Sequence, residues 1–287
     1  MIAVSLFASA VRPKIWKMLL DSLEGTSVEY EVVFAGNANP ADIPPSDRFR
    51  YIHTENIKPA QCYEIARRYC TGETVIWIAD DCEFPNDVIG KAYKYWKSRN
   101  NKKLVLSVQT KESGYSTLES TLYDMNTHRF FSSDNNSPLM APIGLMSREY
   151  LEDLGGIDRR YICGQYENDI VMRVYEDGGM VELFGDKDCF VDIDHLRKSI
   201  LLGESTNDKD FLDRPFAKGY HIDRNVLELS WTTFDQIKMF KRLERGERPK
   251  TLRECVTRRL DKFEPYEGSL KELLVKSESL NLPGVWV

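Results

Sequence analysis

This chain has no excess of basic charge. Its 287 residues carry 39 Lys and Arg against 45 Asp and Glu, a formal net charge of −6, with 4 His. That balance argues against nucleic acid as the main partner. The local pairs Arg67-Arg68 and Arg258-Arg259 read as solvated helix faces. The 6 cysteines are scattered, with no Cys-x-x-Cys and no zinc-ligand spacing, which excludes a disulfide scaffold and a zinc ribbon. Free thiols in a reducing compartment are expected instead. No apolar stretch is long enough to span a membrane, and Met1–Phe7 lacks the basic flank and length of a secretory leader. It reads as a first strand, and a cytoplasmic protein without a transmembrane segment is expected. Internal repeats and low-complexity tracts are also missing.

What is present is a composition suited to a packed core, with 42% hydrophobic and 29% charged residues. The first hundred residues alternate between strand and helix. Ile2–Phe7, Tyr30–Ala35, Phe49–His53, Thr74–Ala79 and Leu104–Val108 are apolar or β-branched runs of strand length. Between them Ile15, Met18, Leu19 and Leu23 recur at helical spacing behind Pro13, and Gln61–Tyr69 carries Cys62, Ile65, Ala66 and Tyr69 on one face. A further helix is predicted after Pro85. This βαβαβ order predicts a largely parallel sheet. A polar segment, Gly114–Pro142, reads as a substrate loop or a passive insertion. Short helices follow at Ser147–Leu154 and Ile170–Tyr175, then strands at Met180–Phe184 and Cys189–Ile193. Beyond Leu202 the composition shifts. Trp231, Phe234, Ile237, Phe240 and Leu243 predict an amphipathic helix with a basic outer face, and Leu260–Val275 predicts another.

Three features carry chemistry. The apolar run Thr74–Ala79 ends in Asp80-Asp81, adjacent acids at the sheet edge where open α/β proteins bind ligands. They suit a hard divalent cation and a diphosphate, and equally a solvated turn in which an Asp caps the next helix. Glu167, in Gln165-Tyr166-Glu167-Asn168-Asp169, is expected in the loop leading into a helix. It is open to two readings, a general base for a substrate hydroxyl or a carboxylate that complements the helix dipole. Asp169 and Arg173 stand at i,i+4, the spacing of a helix ion pair. His195, in Asp194-His195-Leu196-Arg197, follows a strand and is either a metal ligand or a structural imidazole.

Taken in order, the chain resembles the GT-A-type nucleotide-sugar glycosyltransferases, most of all the inverting family 2 group. The resemblance runs from about Ile2 to Arg197. It rests on the N-terminal strand, the helix Ala60–Tyr69 leading through Thr71-Gly72-Glu73 into the acid-ended strand, and Gly144-Leu145-Met146-Ser147-Arg148. It continues through Leu154-Gly155-Gly156-Ile157-Asp158, Glu167-Asn168-Asp169-Ile170 with Arg173, and His195-Leu196-Arg197.

The resemblance implies an α/β GT-A (Rossmann-like) fold, a mostly parallel central sheet flanked by helices with a helical C-terminal extension. Residues 1–202 would form the catalytic domain, its nucleotide-binding half about 1–110 and its acceptor half about 111–202, with 203–287 as the extension. It implies Mn²⁺ or Mg²⁺ on Asp81, with His195 as a further ligand, and Asp80 near the ribose and diphosphate. Glu167 is implied as catalytic base and Asp169 as the acid that holds the acceptor. Ala8, Ser9 and Ala10, with Asn37 after the second strand, would meet the nucleoside. Two positions depart from the pattern. Ala79 stands where a three-acid run has its first Asp, and Ala35-Gly36-Asn37 replaces an acid pair that reads the base, so the base is left open.

The expected activity is metal-dependent, inverting transfer of a sugar from a nucleoside-diphosphate sugar to an acceptor hydroxyl. The acceptor, whether glycan, lipid or protein, is not specified, and peripheral membrane contact stays open. Two rivals remain. A sugar-phosphate nucleotidyltransferase would want a glycine-rich loop where Ala8-Ser9-Ala10-Val11-Arg12-Pro13 has no glycine. A non-catalytic sugar-binding or interaction module is compatible with Ala79 and Gly36-Asn37.

Overall fold

The computed structural model describes residues 1–54, 58–113, 139–186, 188–194, 201–203, 223, 226 and 263–272. Within them the chain runs β1 (Val4–Ser9), α1 (Pro13–Leu23), β2 (Tyr30–Gly36), β3 (Phe49–His53), α2 (Pro59–Tyr69) and β4 (Thr74–Trp77). It continues with α3 (Val88–Arg99), β5 (Leu104–Val108), β6 (Thr110–Ser113), β7 (Gly144–Ser147), α4 (Arg148–Asp153), α5 (Tyr166–Glu176), β8 (Met180–Phe184) and β9 (Val191–Asp194). Seven strands form one sheet in the order β3-β2-β1-β4-β7-β5-β8, and β6 pairs with β9 in a small second sheet.

The strands read as continuous apolar runs because the central ones are covered on both faces. β1, β4 and β5 are buried almost throughout. β1 lies parallel to both β2 and β4, whereas β7 runs antiparallel between β4 and β5. The sheet is therefore mostly parallel with one reversed strand. The chain builds outward from β1 to β2 and β3, then returns to place β4 on the other side of β1. That reversal makes the β1–β4 boundary the switch point, where the loops after two neighbouring strands diverge and leave a crevice.

Helix α1 is fastened over this half by Trp16, fully buried, with ring contacts to Phe34 at 5.5 Å and Phe49 at 5.8 Å. Two glycines allow close approaches. The carbonyl of Ala10 sits where a Cβ on Gly36 would lie, which brings the ends of β1 and β2 together. Gly144 pairs with Trp77 in the antiparallel register, and the Trp77 indole fills the space of its missing side chain. Trp77 is fixed there by its Nε1–H, which donates to the Ala141 carbonyl at 2.8 Å. Gly144→Ala is expected to destabilise the protein by about 1–3 kcal/mol, the usual range for overpacking a filled core. Urea denaturation checks this, and a change under about 0.5 kcal/mol would refute the packing account.

Several sequence expectations need correction. Strand β4 ends at Trp77, two residues early, and α5 begins at Tyr166, so Glu167 lies in its first turn. Strands β6 and β7 were not anticipated as strands. Arg67 and Arg68 do not form a solvated face: both donate to Glu64, which has no exposure, because Glu64 sits one turn earlier on α2. Phe263–Ser269 is irregular rather than helical, and only from Leu270 does a helical turn begin. Pro265 and Gly268, the latter with φ of 86°, explain this. Residues 114–138 of the polar loop, the Trp231–Leu243 helix and His195 lie outside the described residues. No described helix is long and apolar enough to cross a membrane. The described cysteines Cys62, Cys70, Cys82, Cys163 and Cys189 are free thiols.

Candidate functional site

The acid pair follows β4 by three residues and lies at the switch point, opposite the loop that leaves β1. Asp80 and Asp81 are each 2% exposed. Two adjacent carboxylates that deep require compensation, and they receive it from Arg12. The Arg12 Nε donates to Asp80 Oδ1 at 2.8 Å, Nη2 reaches the same oxygen, and Nη1 donates to Asp81 Oδ2 at 2.8 Å. Asp80 Oδ2 accepts the backbone N–H groups of Val11 at 2.9 Å and Arg12 at 3.0 Å, and the indole N–H of Trp16 at 3.0 Å. Asp80 thus ties the β1–α1 loop to the end of β4. Burial opposes the Arg12 charge, but attraction to Asp80 and Asp81 outweighs it and raises the guanidinium pKa.

Arg12 is the residue that sequence reasoning passed over. The available signal was its position, an Arg three residues past a buried strand and directly before the Pro that starts α1. Its partner lies 68 residues away, and only the β1–β4 pairing brings the two together. Beside it opens a cavity of about 380 Å³ lined by Val11, Arg12, Pro13, Lys14, Asp42 and Leu202, within the size range of small-ligand clefts. Ala8 and Ala10 are fully buried, Ser9 is half-buried at the end of β1, and Asn37 is exposed just past β2.

Among the described residues the donor set does not complete a site for a divalent ion. Such an ion wants several hard oxygen or nitrogen ligands, yet both Asp80 oxygens and Asp81 Oδ2 are already engaged. Among the described residues no three His, Cys, Asp or Glu side chains gather where they could hold a metal. Strand β9 does approach, since Glu83 and Asp192 exchange backbone hydrogen bonds at 2.9 Å.

Glu167 is half-buried in the first turn of α5, behind Gln165 at φ of 63°. Burial pushes its carboxyl up to about 7, backbone N–H groups of Glu167 and Gln165 resist, and the Asp223 charge adds to the rise. Asp223 is fully buried and accepts backbone N–H groups from Ile162 at 2.6 Å, Cys163 at 2.8 Å and Gly164 at 2.8 Å. It thereby fixes the loop that delivers Glu167, a link between distant positions that nothing in the sequence signalled.

Tyr63 joins the two acidic regions. Its ring packs on Tyr166 at 4.6 Å, its hydroxyl donates to the Ile78 carbonyl at 2.7 Å, and it feels the charges of both Asp80 and Glu167. Asp169 is placed differently. It has no exposure and bonds Arg173 at 2.9 Å, itself fully buried. Arg173 also donates to the carbonyls of Leu154 at 2.5 Å and Gly156 at 2.6 Å, and lies 4.2 Å over the Phe263 ring.

No protein-family model matches the chain, and no curated protein matches it. Solved structures do. Residues 1–349 of TarS from S. aureus superpose with a TM-score of 0.51 at 13% identity, over 69% of this chain and 62% of that one. The same fragment in complex with UDP-GlcNAc gives 0.51 at 13% identity, over 67% and 58%. In complex with UDP it gives 0.50 at 12% identity, over 85% and 77%. This chain thus spans about 62% of the first of these structures. At such identities the likeness is one of fold: a mostly parallel, GT-A-like α/β sheet flanked by helices.

Proposed function

We propose that this chain is a glycosyltransferase, moving a sugar from a nucleoside-diphosphate sugar to an acceptor hydroxyl with inversion at the anomeric carbon. The observation that carries the reading is Tyr63, which couples the Asp80 end of β4 to the Glu167 end of α5. A cavity opens beside Arg12, which holds the acid pair, and Tyr63 lies between that pair and a carboxylate tuned near neutrality. A carboxylate whose titration is shifted toward neutrality is a candidate for acid–base chemistry. TarS, which shares the fold, was crystallised with UDP-GlcNAc and with UDP, which supports a uridine nucleotide as the first donor to test.

In this reading the ends of β1 and β2, with Ala8, Ser9, Ala10 and Asn37, meet the nucleoside. Glu167 removes the acceptor proton as the acceptor oxygen attacks the anomeric carbon. The bond from that carbon to the diphosphate breaks, and its electron pair leaves with the nucleotide. With a pKa of about 7, Glu167 is basic enough to take the proton and still largely ionised just above neutrality. Asp169 serves from inside, through Arg173, by bracing α5. The sequence resemblance adds Mn²⁺ or Mg²⁺ at Asp81 and His195. Among the described residues these donors do not assemble around an ion.

The test is isothermal titration with UDP, GDP, CDP and ADP, followed by an assay of nucleotide release from the matching sugar nucleotide. One nucleotide binding in the micromolar range, with turnover of its sugar conjugate, is the expected result. No binding to any of the four would overturn the reading and leave the non-catalytic module.

A further inference from the structure

We propose that Arg12 is the cation of this site: a guanidinium built into the fold at the place where a divalent ion would otherwise bridge the acid pair and a diphosphate. The inference rests on the nucleotide-sugar reading and deepens it. Asp80 is saturated, since one oxygen takes two Arg12 N–H groups and the other takes three further donors. A metal at Asp80 would have to strip that shell. A metal on Asp81 would sit against the guanidinium that already donates to Asp81 Oδ2 at 2.8 Å, at the cost of like-charge repulsion. The carboxylates are therefore occupied by a fixed positive charge.

That charge also faces outward. A guanidinium has five N–H groups, and three of them engage the acids. The Arg12 side chain is 29% exposed and lines the cavity together with Lys14. The planar fork suits bidentate recognition of phosphate oxygens, and being clamped from behind removes most of its conformational cost on binding. Lys14 is exposed on the cavity rim and supplies a second charge. The ligand class this assembly selects is a diphosphate, free or carried by a nucleotide, bound without metal.

The experiment titrates inorganic pyrophosphate and UDP into the full chain, in Mn²⁺ and in EDTA, for wild type, Arg12→Lys and Lys14→Ala. Expected are dissociation constants that agree within about twofold between Mn²⁺ and EDTA. Arg12→Lys should weaken binding about tenfold or more and Lys14→Ala about threefold or more, the scale of a charge-assisted hydrogen bond. Arg12→Lys keeps the countercharge to the acids. Lys14→Ala alters a rim residue outside the core, so its arm stands even if the Arg12 variant folds poorly. Tenfold or greater dependence on Mn²⁺ overturns the proposal and leaves the transferase reading intact. Metal-free pyrophosphate binding with UDP no tighter supports the fixed cation and removes the nucleotide reading. Absence of binding by both ligands overturns both.

Discussion

Glu167→Gln is expected to lower the rate of nucleotide release from the donor sugar by roughly 10²–10⁴-fold, the usual contribution of a positioned general base. The nucleotide dissociation constant should stay within about threefold of wild type, because the base acts on the acceptor and not on the diphosphate. Water can serve as acceptor in this assay, so the prediction does not wait for the natural one to be identified. The pH dependence gives a second readout. Glu167 must be ionised to accept a proton, and burial holds its carboxyl near 7. Wild-type kcat/KM should therefore climb with pH up to about 7 and level above it, while the Gln variant stays flat.

The same shift makes a claim about stability, with the opposite sign. The folded protein binds the Glu167 proton more tightly than the unfolded chain, whose Glu titrates near the ordinary 4.5. Between those two values the folded state carries the extra proton, so stability falls as pH rises through the window. Its size is at most about 3–4 kcal/mol at about 1.4 kcal/mol for each pKa unit. Glu167→Gln removes that slope, so at pH 8 the variant should melt no lower than wild type. A variant both inactive and markedly less stable at pH 8 would mean that Glu167 braces the fold.

How far the sequence could lead is clearest from particular elements. Strands β1, β2, β4 and β5 announce themselves because a strand buried on both faces is apolar almost throughout. Strand β7 does not, because Gly144–Ser147 is four residues long and owes its direction to pairing with β4 and β5. The start of α5 was placed late because its cap is Gln165 in the left-handed region, with no Ser, Thr or Asp to signal it. At the site, Asp80-Asp81 and Glu167 stand out locally: one ends an apolar run and the other opens a helix. Their partners Arg12 and Asp223 do not, since each is joined to its carboxylate or loop only by tertiary packing. The acids could be found from the sequence, but what neutralises or orients them could not.

The second large effect concerns Asp169. Its ion pair with Arg173 is completely inaccessible to solvent, and burial pulls the Arg173 pKa down to about 10, leaving it charged at neutral pH. Asp169→Ala removes a carboxylate hydrogen-bonded to that charge and leaves it with the more distant Asp158 and Glu64. Removing one partner of a buried pair typically costs about 3–5 kcal/mol. Arg173→Met should cost a similar amount, because it strands the carboxylate and frees two carbonyls. The double variant should be less damaged than the sum of the two, by about 1–3 kcal/mol, since no isolated charge remains. Urea denaturation of the four proteins measures that coupling.

Activity then separates two roles for Asp169. The resemblance implies that it holds the acceptor, whereas its complete burial fits a brace two residues along α5 from Glu167. If it is a brace, Asp169→Ala assayed well below its melting temperature should keep the acceptor KM within a few fold of wild type. Its losses should track the fraction unfolded, and the coupled Arg173→Met change should restore part of them. If the variant instead melts like wild type and has lost turnover or acceptor affinity, Asp169 reaches the substrate. The acceptor site would then have to open far enough to expose a carboxylate that is fully enclosed here.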